Sequence, residues 1–457
     1  MAGIYIHIPF CRQKCSYCNF FSLATTKFRN EFLQALLSEI YLTRGYLGDQ
    51  PIETIYFGGG TPSLLPVSRL EEILQAISHE PRAMRDKDGG SRVEGRGSKV
   101  KGRETKSEKR KAKSEKRNVT IVNRRSEMEN REITLEMNPD DVTPDYLEAL
   151  SYSAINRVSL GVQSFLDEDL KYLGRSHDAR QAVMAVELIR DTRCGMRVEG
   201  RGSRVEDQEE KFGIRNSEFV NLNVDLIYGI PTLMNAHWRE NLQRVIDLGI
   251  PHISAYALTV EPKTQLAWQI RQNPSPSLSP TGEGRIRYPV SDDQASEQFE
   301  ILIDEMDKAG YIHYEISNFC LPGYESRHNS NYWLGVPYLG LGPSAHSYNG
   351  TSRRWNILNL TSYIHGIQTG HPHTEEEILS ISQMYNEYVM TSLRTVWGCD
   401  LQEIHQRFGE WHSSYFRDQA IRHLASGHLT GNAGIYTLTR KGKFLADGIA
   451  ADLFVEE

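Results

Sequence analysis

Apolar and polar positions follow two rhythms along the first two thirds of the chain. Short β-branched runs at residues 3–9, 54–58, 133–137, 157–162, 220–228 and 252–260 have the length and residue types of strands. In the gaps, apolar residues recur at helical spacing over 28–44, 68–80, 144–151, 179–191 and 238–248. This order predicts six strand–helix units and a parallel sheet, either doubly wound or an incomplete (β/α)6 barrel. No G-x-G-x-x-G follows the first run, which speaks against a dinucleotide-binding sheet. Gly58, Gly59, Gly60, Thr61, Glu136, Gln163 and Asp225 sit at or just past the C-terminal ends of their runs. That is the rim on which barrel enzymes carry their chemistry, so the expected fold class is α/β, as an incomplete (β/α)6 barrel.

Three stretches break the rhythm. Residues 82–131 are rich in Lys, Arg, Glu, Gly and Ser and nearly free of large apolar residues, a composition that buries too little surface to fold. Residues 192–217 are similar, and the two share a run, Arg92 to Val100 against Arg197 to Val205, that differs only as Lys99 against Arg204. Two copies do not make a repeat fold. The third stretch, 273–292, carries Pro274, Pro276, Pro280 and Pro289 among serines and glycines and predicts a flexible loop. The first two precede strands, which places them on the rim opposite the expected site; the third follows the sixth strand and lies nearer to it. Between 82 and 117 there are 15 Lys or Arg against 6 Asp or Glu, so the rest of the chain is more acidic than the net charge of −7 suggests. Nucleic-acid binding by the folded body is not expected.

From about residue 375 the pattern changes. Helical periodicity at 378–393, 401–408 and 413–426 precedes a strand-like run at 434–439 and a further helix from Lys441. The expected organisation is a barrel over 1–310, a connecting segment over 311–374 and a small, mainly helical C-terminal domain over 375–457. Residues 401–457 hold 6 Lys or Arg against 7 Asp or Glu, which lacks the basic footprint of a DNA-binding module. No apolar run approaches the 18 or so residues of a membrane span, so no transmembrane segment is expected. The start, MAGIYIHIPFCRQKC, lacks the charged leader, apolar core and small-residue cleavage site of a secretion signal. Six cysteines in 457 residues are too few for a disulfide scaffold, and three of them crowd into one loop. These features predict a protein of the reducing cytoplasm.

That loop is Cys11-x3-Cys15-x2-Cys18, directly after the first run. Three thiolates on a short loop can serve one soft metal centre, and thiolates are the usual ligands of iron–sulfur clusters. A structural zinc would want a second Cys or His pair, whereas Cys194, Cys320 and Cys399 are scattered. Taken with IYIHIPFCRQKCSYC, the runs IYFGGGTPSLL, RVSLGVQSF, LGRSH, VDLIYGIP, YEISNF and HNSNYW resemble the radical S-adenosylmethionine (SAM) proteins. Within them the likeness is to the HemN/HemW group, which contains oxygen-independent coproporphyrinogen III dehydrogenases and heme chaperones. It covers nearly all of the chain outside the three stretches. The resemblance implies a radical-SAM partial barrel with a winged-helix-like C-terminal domain. It also implies a 4Fe–4S cluster on Cys11, Cys15 and Cys18, with SAM chelating the open iron. By the same resemblance Tyr5, Tyr17, Gly59, Gly60, Thr61, Glu136, Gln163, Arg175 and Asp225 are the SAM contacts.

Two features favour the chaperone branch. The dehydrogenases carry a further cysteine two residues after the third ligand, where this chain has Phe20. The run from His328 to Trp333 matches the HNxxYW motif associated with heme, which implies His328 as an iron ligand with Tyr332 and Trp333 covering the porphyrin. The implied function is a heme chaperone that passes heme to an acceptor hemoprotein, such as one of the respiratory chain, with an electron donor for its cluster. The alternative is an enzyme that oxidatively decarboxylates coproporphyrinogen III propionates to vinyl groups. No catalytic residue is assigned, and His7, His177 and His346 are expected to have no metal role.

Overall fold

The computed structural model describes residues 1–78, 130–193, 221–272 and 291–456. The stretches expected at 82–131, 192–217 and 273–292 lie outside these residues except at their ends. There, Thr192 and Arg193 still belong to a helix and Ser291 caps the next one.

Six strands lie side by side in chain order, all parallel: β1 (Ala2–Ile8), β2 (Ile52–Gly59), β3 (Glu132–Met137), β4 (Arg157–Gln163), β5 (Asn221–Tyr228) and β6 (His252–Ala257). A doubly wound sheet reverses its strand order at a switch point. The unreversed order is that of a barrel wall. The crossovers hold α1 (Arg29–Leu42), α2 (Val67–Ser78), α3 (Pro144–Ser151), α4 (Asp167–Leu173), α5 (Ala179–Arg193), α6 (Asn235–Asp247) and α7 (Gln265–Gln272). After α8 (Asp292–Lys308), β7 (Ile312–Glu315) and β8 (Asn318–Cys320) extend the wall antiparallel beyond β6. After α9 (Arg327–Trp333), β9 (Tyr338–Leu341) pairs parallel with β1 on the other side. β10 (His346–Tyr348) and β11 (Ser352–Asn356) follow; then, past α10 (Leu360–Gln368), β12 (Thr374–Ile378) completes that edge. The result is one open 12-stranded sheet with β12 and β7 as its edges.

Side-chain parity sets what each face does. Ile4, Ile6, Ile8, Ile55, Phe57, Ile133, Leu135, Val158, Leu160, Leu222, Val224 and Leu226 are buried in the core shared with the helices. The paired positions of opposite parity read Gly3, Tyr5, His7 on β1, Thr54, Tyr56, Gly58 on β2 and Glu132, Thr134, Glu136 on β3. They continue as Arg157, Ser159, Gly161 on β4, Asn221, Asn223, Asp225 on β5 and His252, Ser254, Tyr256 on β6. Parallel strands buried on both faces are usually apolar throughout. Here one face is polar from end to end, so the barrel lumen is built as a site rather than as packing.

The C-terminal section has its own core around Tyr385, Val389, Ile404, Phe416 and Leu453. It comprises α11 (Ile381–Leu393), β13 (Cys399–Asp400), α12 (Leu401–Phe408), α13 (Glu410–Ala425), β14 (Leu429–Asn432), β15 (Ile435–Leu438), α14 (Arg440–Lys443) and α15 (Ala446–Asp452). Two expectations need correction. The segment expected to connect two domains supplies both edges of the large sheet, and β12 carries that sheet through Ile378, past the expected boundary at 375. The helix expected from 378 starts at Ile381, because Ser380 and Gln383 form a capping box there. The two units are stitched by Ile316 N–H to Arg394 O and Val396 N–H to Tyr314 O, both 3.0 Å, and by an ion pair from Arg394, itself anchored by Asp447, to Glu315. No helix among the described residues is long and apolar enough to cross a membrane.

Candidate functional site

The loop after β1 holds Cys11, Cys15 and Cys18 as free, half-buried thiols. It is tied down on several sides: Cys11 N–H donates to Leu23 O (3.0 Å), Ser16 N–H to Leu173 O (3.0 Å), and Leu266 N–H at the start of α7 to Ser16 O (2.7 Å). The turn after β2 packs onto the same loop, with Gly60 N–H donating to Ile8 O (2.8 Å) and Thr61 N–H to Phe10 O (2.7 Å). A Cβ at Gly60 would lie 2.6 Å from Phe10 O and 3.0 Å from Cys11 Sγ, so only glycine lets this backbone reach the thiol loop.

Side-chain donors meet the sulfurs. Arg175 Nη1 donates to Cys15 Sγ at 3.3 Å, and Thr61 Oγ1 donates to Cys11 Sγ at 3.6 Å. Arg175 Nη2 also donates to Asn138 Oδ1 and Gly161 O, each at 2.7 Å, while its buried Nε has no hydrogen-bond partner among the described residues. As bare thiols, Cys11 and Cys18 are pushed up by burial. A bound metal reverses that, because a coordinating thiol is deprotonated outright. Among the described residues no three His, Cys, Asp or Glu side chains converge on a single ion. A four-iron cube takes one thiolate per iron and needs no common point, so a soft donor set with a guanidinium beside it fits such a cluster.

Next to this loop stand two half-buried acids. Glu136 accepts from Tyr56 Oη (2.8 Å) and Gly59 N–H (3.2 Å), and burial pushes it up to about 7, with the neighbouring Asp225 adding to the rise. Asp225 accepts from Asn223 Nδ2 (2.7 Å) and Ser159 Oγ (3.2 Å), and burial pushes it up to about 6. Gly59 has φ +111°, which glycine adopts without strain. Gln163 has φ +69° where the β4–β5 register shifts, a strained conformation of the kind that collects at functional sites. A Cβ on Gly161 would meet Gln163 Nε2 at 3.0 Å and Arg175 Nη2 at 3.4 Å, so these side chains share one corner. Carboxylates for positive groups, an orphaned guanidinium nitrogen for a carboxylate and a side-chain-free glycine strip together fit SAM. Tyr5 stacks on Tyr56 and meets His7 Nδ1 through its hydroxyl (3.1 Å); Tyr17 packs against the core with its phenol pushed up by burial. Phe20 projects from the thiol loop, 67% exposed.

The HNSNYW run lies at the other end of the lumen. His328 is in α9 and only 3% exposed. Its Nδ1 is 2.8 Å from Thr54 Oγ1 and its Nε2 is 3.2 Å from Tyr332 Oη, so neither ring nitrogen is free in this conformation. Its ring stacks on Tyr56 at 4.9 Å, and burial pushes it down to about 3, which keeps it neutral. Trp333 faces the other way, under the Arg394 guanidinium. Thr54 lies near the start of β2 and Glu136 near the end of β3, and Tyr56 links the two ends: it touches His328 below and Glu136 above. Tyr56, Asn138, Ser159 and Asn223 were not among the residues expected from sequence. Their signal was the shared parity on the polar face, and for Asn138 its place just past β3.

Comparison with known proteins agrees with this geometry. Residues 5–197 match the radical SAM superfamily and residues 379–445 the HemN C-terminal domain. The chain is 27% identical to the heme chaperone HemW of Bacillus subtilis (strain 168), covering 98% of both chains. It is 30% identical to the heme chaperone HemW of Synechocystis sp. (strain ATCC 27184 / PCC 6803 / Kazusa), over 81% of this chain and 68% of that one. Its fold is similar to that of the Escherichia coli coproporphyrinogen III oxidase HemN, a radical SAM enzyme, with a TM-score of 0.70 and 19% identity over 99% of this chain and 90% of the other. With residues 5–197 and 379–445 matched by these families and heme chaperone relatives matched over most of its length, the chain belongs to the radical SAM superfamily and, within it, to the HemN/HemW family.

Proposed function

We propose that this protein is a heme chaperone, which binds heme through the segment around His328 and passes it to an acceptor hemoprotein. What supports the reading most is the full-length similarity to heme chaperones, in a chain where Phe20 stands in place of the dehydrogenases' extra cysteine. A 4Fe–4S cluster held by Cys11, Cys15 and Cys18, reduced by an electron donor, would supply one-electron chemistry toward SAM. Glu136, Asp225, Gln163 and Arg175 would hold and orient SAM, and Gly59, Gly60 and Thr61 would let it lie against the loop.

At the other end, the neutral His328 ring is held at Nδ1 by Thr54 and covered at Nε2 by the Tyr332 hydroxyl. Heme iron therefore takes Nε2 only when Tyr332 swings aside, and Trp333, which faces Arg394, would cover the porphyrin only after turning toward it. Heme titration of the reconstituted protein tests this. His328→Ala abolishes or shifts the Soret band and leaves the cluster absorbance intact, while Tyr332→Phe, which uncovers Nε2, binds heme at least as tightly as the wild type. An unchanged heme spectrum in His328→Ala removes that residue from the site. Turnover of coproporphyrinogen III with SAM consumption would replace the chaperone reading by the decarboxylase.

A further inference from the structure

We infer that Asn138 is a positioning residue that aims two hydrogen bonds at the thiol loop and thereby raises the reduction potential of the cluster it carries. The inference rests on the reading that Cys11, Cys15 and Cys18 hold an iron–sulfur cluster. A guanidinium can only donate, so with Arg175 Nη2 at 2.7 Å, Asn138 must present its Oδ1 to that side. Its Nδ2 is then left facing Thr61 Oγ1 at 3.1 Å. An amide NH2 is likewise only a donor, so Thr61 accepts from it and has one proton of its own to give. That proton goes to Cys11 Sγ, 3.6 Å away, while the other arm of Arg175 reaches Cys15 Sγ at 3.3 Å.

One side chain thus sets the direction of the Thr61 bond to sulfur and, together with Gly161 O, holds the guanidinium that reaches Cys15. Asn138 is itself held by its backbone. It is extended (φ −98°, ψ 151°) ahead of Pro139, which restricts the preceding residue to that region, and its carbonyl accepts from Asp141 N–H at 3.0 Å. An electron added to the cluster puts more negative charge on its sulfurs. Donors to those sulfurs stabilise the reduced form more than the oxidised one, which raises the potential.

The test is an EPR-monitored redox titration of the anaerobically reconstituted full-length protein, with iron and sulfide content measured on the same samples. Asn138→Asp keeps the shape but offers an acceptor on both sides, so the Thr61 proton turns away from Cys11 and a negative charge is added. Thr61→Val deletes that donor, and Thr61→Ser keeps it. The expected result is a reduction equilibrium constant about tenfold lower in Asn138→Asp and Thr61→Val, about 59 mV for one electron. Iron and sulfide are unchanged, and Thr61→Ser titrates with the wild type. If Asn138→Asp loses its cluster, the isosteric Thr61→Val decides. Wild-type potentials in fully loaded variants overturn the inference alone; a wild-type protein that takes up no iron and sulfide overturns the cluster reading with it.

Discussion

Glu136 and Asp225 are acids held above their ordinary range by burial, and the Asp225 charge adds to the rise of Glu136. The sign of the consequence is fixed by linkage. In the unfolded chain Glu136 loses its proton near its ordinary value of 4.5, whereas in the ligand-free fold it keeps it until about pH 7. Its contribution to stability is therefore fully present below pH 4.5 and lost as pH rises through 7. Glu136→Gln, which never ionises, should be more stable than the wild type at pH 8 by up to about 3 kcal/mol, with the gap closing by pH 5. Urea denaturation at the two pH values measures this, and a gap independent of pH refutes it. The same variant should lose SAM affinity, because the cationic ligand is what makes an ionised carboxylate favourable there. The strain at Gln163 and the unpaired Nε of Arg175 have the same logic: a folded chain tolerates them where a ligand uses them.

At the scale of elements, α9 is a plug in the barrel floor, held mainly by one carboxylate. Glu132 accepts Arg327 N–H (3.1 Å), His328 N–H (2.8 Å) and Ser326 Oγ (3.4 Å), and its own charge is matched by Arg157 at 3.5 Å. A seven-residue helix is not stable alone, so this docking is what folds it. Glu132→Ala leaves Arg157, 1% exposed, without its counter-charge, and should cost about 3–5 kcal/mol of folding stability. Denaturant midpoints would show it; a loss under about 1 kcal/mol would mean that α9 is held by packing instead. The Glu132–His328 contact spans 196 residues, which explains why α9 was not legible in the sequence while the six wall strands were. Those strands announce themselves locally, through β-branched runs, and their rim residues fall at or near run ends. The edge strands β7 to β12 are three to five residues long, too short for a period to register. The thiol loop was legible from spacing, but its donors were not, since Arg175 meets Cys15 across 160 residues.

In the whole molecule, the thiol loop and the HNSNYW segment occupy opposite ends of one polar lumen. Thr54, beside His328, and Gly59, beside Glu136, are five positions apart on β2, which at about 3.3 Å per residue is roughly 16 Å. The rim is built by loops after strands, and the floor by α9 and the first residues of β2 and β3. The two share strands β2 and β3 and the bridging Tyr56, but each is lined by its own side chains, so emptying one leaves the other's walls in place. A variant with Cys11, Cys15 and Cys18 all replaced by Ala should therefore take up no iron yet bind heme with the stoichiometry of the wild type, within about twofold in affinity. The complementary variant, His328→Ala, should keep its cluster and its SAM affinity. Heme titration and iron analysis on both proteins make the comparison. Heme binding that vanishes with the cysteines would place heme at the rim, beside the exposed Phe20, and the floor would then be structural.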